Sequence, residues 1–85
     1  MTDATRFTNT FINLLKLSKN EYELQANNSV VINSEYTTKA LELVKKLGFE
    51  KLEGTRVYYK GDMSITVRSL MTGRLRMDIS LIKDM

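Results

Sequence analysis

The sequence predicts an α+β domain: two helices packed on one face of a small antiparallel sheet that ends in a β-meander. Three observations predict it. Two segments, Asp3 to Lys19 and Tyr36 to Leu47, space their apolar residues for a helix, whereas almost everything after Phe49 alternates apolar with polar at period two, the mark of a half-buried strand. Gly48, Gly54, Gly61 and Gly73, the only glycines, fall where one pattern gives way to the next. Eighty-five residues make one domain spanning 1–85 around one core.

In the first helix Phe7, Phe11, Leu14 and Leu15 form an apolar stripe, and Asp3 is placed to cap its start. Tyr22, Leu24 and Ala26 then alternate with Glu21, Glu23 and Gln25, and Asn27-Asn28 separates them from Val30-Val31-Ile32. This reads as strand, turn and second short strand. The second helix follows from Tyr36, Ala40, Leu43, Val44 and Leu47, with Asn33 or Ser34 as its cap. Its end is marked by Lys45 and Lys46, which suit the negative end of the helix dipole, and by Gly48 and Phe49, which suit a Schellman motif.

Strands are expected at Phe49–Leu52, Arg56–Lys60, Ser64–Leu70 and Arg74–Ile82. Met71-Thr72-Gly73 has the form of a three-residue hairpin turn with glycine in the left-handed third place, which pairs Leu70 with Arg74. Val67 then faces Met77 and Ile65 faces Ile79 on the side toward the helices. On the other side Arg68 faces Arg76 and Thr66 faces Asp78.

Charge is segregated along the chain. Residues 1–53 hold seven Lys or Arg against seven acids, while residues 54–85 hold six against three, the whole net charge of +3. The basic part is also the alternating part, so its cations gather on one sheet face. Like charges directly opposite each other destabilise a strand pair, and a phosphate backbone lying over Arg68 and Arg76 would relieve that cost. Which neighbours join them depends on one turn. An odd-length loop around Gly61 brings Arg56, Tyr58 and Lys60 to the arginine face, whereas a two-residue Gly61-Asp62 turn brings Val57 and Tyr59. The first register yields the expected nucleic-acid-binding set: Arg56, Lys60, Arg68, Arg74 and Arg76 on phosphates, with Tyr58 stacking on an unpaired base.

Other chemistry finds little footing. The chain has no Cys and no His, which removes disulfides, thiolate nucleophiles, the commonest metal ligand and the commonest general base near neutral pH. No P-loop or G-x-G-x-x-G occurs, and the acid pairs Glu21/Glu23 and Glu50/Glu53 have neither nucleophile nor oxyanion site beside them. No enzyme, no cofactor and no metal are expected. Aliphatic runs go no further than Val30–Ile32, far short of the ~18 residues of a membrane span, and the N-terminus does not resemble a signal peptide. A cytoplasmic address and no membrane partner are the expectation.

Two resemblances add to this. Ala40-Leu41-Glu42-Leu43-Val44-Lys45-Lys46-Leu47-Gly48-Phe49-Glu50, followed by Glu53-Gly54, resembles the A-L-x-x-L-x-x-L-G-F segment of PUB domains, which implies an adaptor binding the tail of a partner protein, here an acidic one. The short, Cys-free, Lys- and Asn-rich basic chain as a whole resembles the small accessory proteins of T-even-type bacteriophages. Among those are nucleic-acid-binding regulators and RNA-dependent inhibitors of toxin–antitoxin ribonucleases used in counter-defence. That resemblance implies RNA, ahead of other single-stranded nucleic acid, as the ligand, a ribonuclease or other protein target as a further partner, and action by occupancy.

Overall fold

Both amphipathic segments form helices, and every alternating segment joins a single sheet. The computed structural model describes residues 3–81. In chain order the elements are α1 (Asp3–Leu15), β1 (Tyr22–Ala26), β2 (Ser29–Ile32), a 3₁₀ turn (Ser34–Tyr36), α2 (Thr37–Lys46), β3 (Glu50–Lys51), β4 (Val57–Lys60), β5 (Met63–Ser69) and β6 (Leu75–Leu81). The strands form one antiparallel sheet in the order β1-β2-β6-β5-β4-β3. This is the expected α+β architecture, with the sheet enlarged. The first hairpin does not stand apart from the meander but pairs with it through β2 and β6. All four residues of β2 are buried, and a strand apolar toward both faces belongs inside a sheet.

The core lies between the helices and one side of that sheet. Phe11, Ile12 and Leu15 of α1 and Ala40 and Val44 of α2 meet Val30, Ile32, Ile65, Val67, Leu75, Met77, Ile79 and Leu81. These strand residues are alternate positions, so they share one face. Within α1 the buried stripe is Ala4, Thr8, Phe11, Ile12 and Leu15, rotated from the expected one. Leu14 is 47% exposed, and Phe7 is only half-buried, its ring 6.0 Å from Phe11 and 5.5 Å from Phe49. Thr8 can be buried because its hydroxyl donates to the Ala4 carbonyl at 2.8 Å. Asp3 lies inside the first turn rather than before it.

α1 also ends four residues earlier than expected. Lys16 adopts φ of +57°, and the next residues form a turn that competes with helix: the Ser18 amide and hydroxyl donate to Glu21 Oε1 at 2.8 and 2.6 Å, and the Glu21 amide returns to the Ser18 carbonyl at 2.9 Å. The Ser18 and Tyr36 hydroxyls and the Ser18 amide lower the Glu21 carboxyl to about 2 from an ordinary 4.5. The turn therefore gains stability above pH 4.5 and loses it as pH falls toward 2.

The end of α2 follows the expected Schellman motif: Phe49 N–H donates to Val44 O at 3.2 Å, Gly48 N–H donates to Lys45 O at 3.0 Å, and Gly48 has φ of +97°. Its start does not follow expectation. Neither Asn33 nor Ser34 caps through its side chain; a 3₁₀ turn leads in instead. The last turn, Met71-Thr72-Gly73, takes the expected three-residue form. Leu70 N–H donates to Arg74 O at 2.8 Å, Gly73 N–H to Leu70 O at 2.9 Å, and Gly73 has φ of +84°. The predicted ladder results, including Arg68 opposite Arg76. It is described to Leu81, and Ile82 lies outside the described residues.

Candidate nucleic-acid interface

The side of the sheet turned away from the helices carries the candidate site. β6 contributes Arg76 and Asp78, β5 contributes Thr66 and Arg68, β4 contributes Val57 and Tyr59, and β2 contributes Ser29 and Val31; these are the positions that alternate with the core residues. Arg74 continues this side at the start of β6, where its Nη1 lies 3.9 Å from Glu23 of β1 and its Nε donates to the Thr72 hydroxyl at 3.1 Å.

At the centre are Arg68 and Arg76, directly across the β5–β6 ladder. Their situations differ. Arg76 is half-buried, and its Nε sits 3.3 and 3.4 Å from the two carboxylate oxygens of Asp78. The Ser29 hydroxyl donates to the same carboxylate at 2.7 Å. Asp78 thus screens Arg76 and offsets part of its repulsion with Arg68. The Arg68 side chain is exposed and has neither ion pair nor hydrogen bond among the described residues. Val31, 4% exposed, lies between Glu23 and Arg76 in the cross-strand register and supports the arginine's stem.

The tyrosine on this face is Tyr59, not Tyr58. Lys60 pairs with Met63 across Gly61-Asp62, so the connection has two residues, and the parity of β4 is the opposite of the one the expected binding set required. Tyr58 pairs with Ile65 on the helix side, where it is 8% exposed. Arg56 and Lys60 share that side. Lys60 donates to the Leu47 carbonyl at 2.6 Å, capping the end of α2. Tyr58, Arg56 and Lys60 are therefore withdrawn from the interface, leaving Arg68, Arg74 and Arg76 of the expected set. Tyr59 is 39% exposed, and its hydroxyl donates to Glu50 Oε2 at 3.2 Å, which raises its pKa above the ordinary 10.0. From the strand rise it stands roughly 13 Å from Arg68 along the sheet.

Sequence reasoning placed Asp78 on this face but missed its contact with Arg76, and it missed Glu23 and Ser29 altogether. The Asp78 contact was readable, since Arg76 and Asp78 two apart on a strand must share a side. Glu23 and Ser29 arrive only through the β2–β6 pairing. Among the described residues no three His, Cys, Asp or Glu side chains gather as metal ligands, and no helix is long and apolar enough to cross a membrane. No family model matches the chain, and neither a curated protein nor a solved structure matches it.

Proposed function

We propose that the helix-free face of the sheet binds single-stranded RNA and that the protein is a non-enzymatic regulator or inhibitor acting by occupancy. It shields the strand, or holds it against a protein such as a ribonuclease whose site is then blocked. The observation that carries this reading is Arg68, without an acidic partner among the described residues and directly opposite Arg76. A phosphate over the two arginines replaces their repulsion with two charge-assisted contacts. Tyr59 supplies a ring on the same face for an unstacked base. The pairs Arg74–Glu23 and Arg76–Asp78 are partly exposed, and pairs of that kind contribute only ~0–1 kcal/mol, so a polyanion competes for both arginines.

The test is fluorescence anisotropy with labelled single-stranded RNA over a range of salt. R68A/R76A is expected to weaken binding while leaving the melting temperature close to that of wild type, and to flatten the salt slope by about 1.4, at about 0.7 per lost phosphate contact. Tyr59→Ala is expected to weaken binding by about 1–3 kcal/mol. The RNA itself should be recovered uncleaved. Equal affinity and equal salt slope for wild type and double variant would remove the interface from this face. A target complex that survives both nuclease digestion and the double substitution would favour the adaptor reading.

A further inference from the structure

On the opposite side of the sheet, a hollow of about 270 Å³ remains beside α2. Its floor is apolar, made by Leu41 of α2, Val67 of β5 and Leu75 of β6. Around it stand Lys51, Arg56, Tyr58 and Ser69. The hairpin between β3 and β4 brings the two cations together: Lys51 is directly opposite Tyr58, and Arg56 precedes Tyr58 by two residues on the same strand face. Their backbone is held firmly. Val67 N–H donates to Arg56 O at 2.9 Å, Leu52 N–H donates to Val57 O at 2.8 Å, and Thr55 braces the turn by donating its hydroxyl to Leu52 O at 2.7 Å.

The polar groups at this hollow lack partners of their own. Among the described residues neither Lys51 nor Arg56 forms an ion pair, and none of the four side chains takes part in a hydrogen bond. Tyr58 is 8% exposed, yet no buried side-chain oxygen among the described residues goes unpaired. Its hydroxyl therefore keeps some access to solvent, and Tyr58 is one of the residues lining the hollow. Two full positive charges and two hydroxyls around an apolar floor match a group with nearly two negative charges and three acceptor oxygens, attached to a carbon skeleton.

We propose that this hollow binds a small phosphate monoester, with the phosphate on Arg56 and Lys51, hydrogen bonds from the Tyr58 and Ser69 hydroxyls, and the organic group on Leu41, Val67 and Leu75. The site is separate from the RNA face, and the reading does not depend on that one. The ester can be a nucleotide or a non-nucleotide phosphate, and the two are distinguished by ligand.

Amide chemical shifts of the labelled protein are followed at low salt while phenyl phosphate, a nucleoside 5′-monophosphate, inorganic phosphate and phenylacetate are added separately. Saturable shifts at Lys51, Arg56, Ser69 and Leu41 are expected with at least one ester. Saturation by the nucleotide assigns a nucleotide, and saturation by phenyl phosphate alone assigns a non-nucleotide ester. Arg56→Gln removes an exposed side chain and should weaken the ester roughly tenfold or more, Tyr58→Phe keeps the packing and should weaken it less, and R68A/R76A should leave it unchanged. No saturable shift with either ester, equal affinity for phenylacetate, or an Arg56→Gln variant that binds as wild type does would overturn the proposal.

Discussion

The two turns that flank β5 differ by one residue, and the difference sorts side chains between the two faces of the sheet. Met71-Thr72-Gly73, with three residues, places Arg68 opposite Arg76 away from the helices. Gly61-Asp62, with two, places Tyr58 opposite Ile65 toward them. Alternation alone would turn β4 the other way, since Val57 and Tyr59 are together less polar than Arg56, Tyr58 and Lys60. One strand in from the sheet edge, beside the two-residue β3, alternation has little weight. α2 leaves Arg56 at an open hollow and takes Lys60 as a cap for Leu47, so neither cation is stranded in the core. Where burial is shallow, the turn decides the register.

The adjacent tyrosines give the strongest test of this sorting. Tyr58→Ala should cost about 3 kcal/mol in urea denaturation, the low end for truncating a large buried aromatic, whereas Tyr59→Ala should cost no more than about 1 kcal/mol. Similar losses would mean that the strand has been turned the wrong way. A glycine inserted between Gly61 and Asp62 attacks the turn directly. It offers β4 a three-residue connection, and the expected result is a strand rotated to bring Tyr59 inward, with a loss of about 2 kcal/mol as Tyr58 leaves the core and Lys60 leaves Leu47. Nuclear Overhauser contacts between Tyr58 and Ile65 that persist in that variant would show that burial, not turn length, sets the parity.

The other turn should respond more mildly. Gly73 combines φ of +84° with a neighbour, Ser34 Cβ, only 3.3 Å from where a side chain would begin, so Gly73→Ala should lower stability by about 1 kcal/mol or somewhat more. An unchanged melting temperature would count against the three-residue turn. Smallest is the effect of Arg68→Ala on the free protein: a gain of a few tenths of a kcal/mol as the like-charge pair is removed. A loss of more than that would reveal an undescribed partner for Arg68.

The features legible in the sequence were those set by neighbouring residues. The β5–β6 register, the end of α2 at Gly48 and the opposed arginines each follow from a local pattern. The end of α1 did not, because the left-handed residue there is Lys16 rather than glycine, and the competing bond comes from Glu21 five residues on. Half of the candidate site was likewise hidden. Glu23 and Ser29 reach the arginines by a pairing between residues almost fifty positions apart, such as Ser29 with Asp78, and no periodicity carries that information. The run Val30–Ile32 hinted at it, since a continuous apolar stretch suits a strand with neighbours on both sides.

The central place of β6 has a consequence for the order of assembly. The last described strand in the chain lies between β2 and β5 and, among the described residues, is the one strand that joins the first hairpin to the remaining three. Until it is made, a nascent chain holds two separate fragments, each with an open edge and an unfilled apolar side. The helices lack much of the surface they settle on, because Leu75, Met77, Ile79 and Leu81 are all still missing. Synthesis and folding are thereby put in sequence: the domain closes late and as a unit, and a ribosome stalled before residue 75 holds a chain poised to aggregate rather than one partly finished.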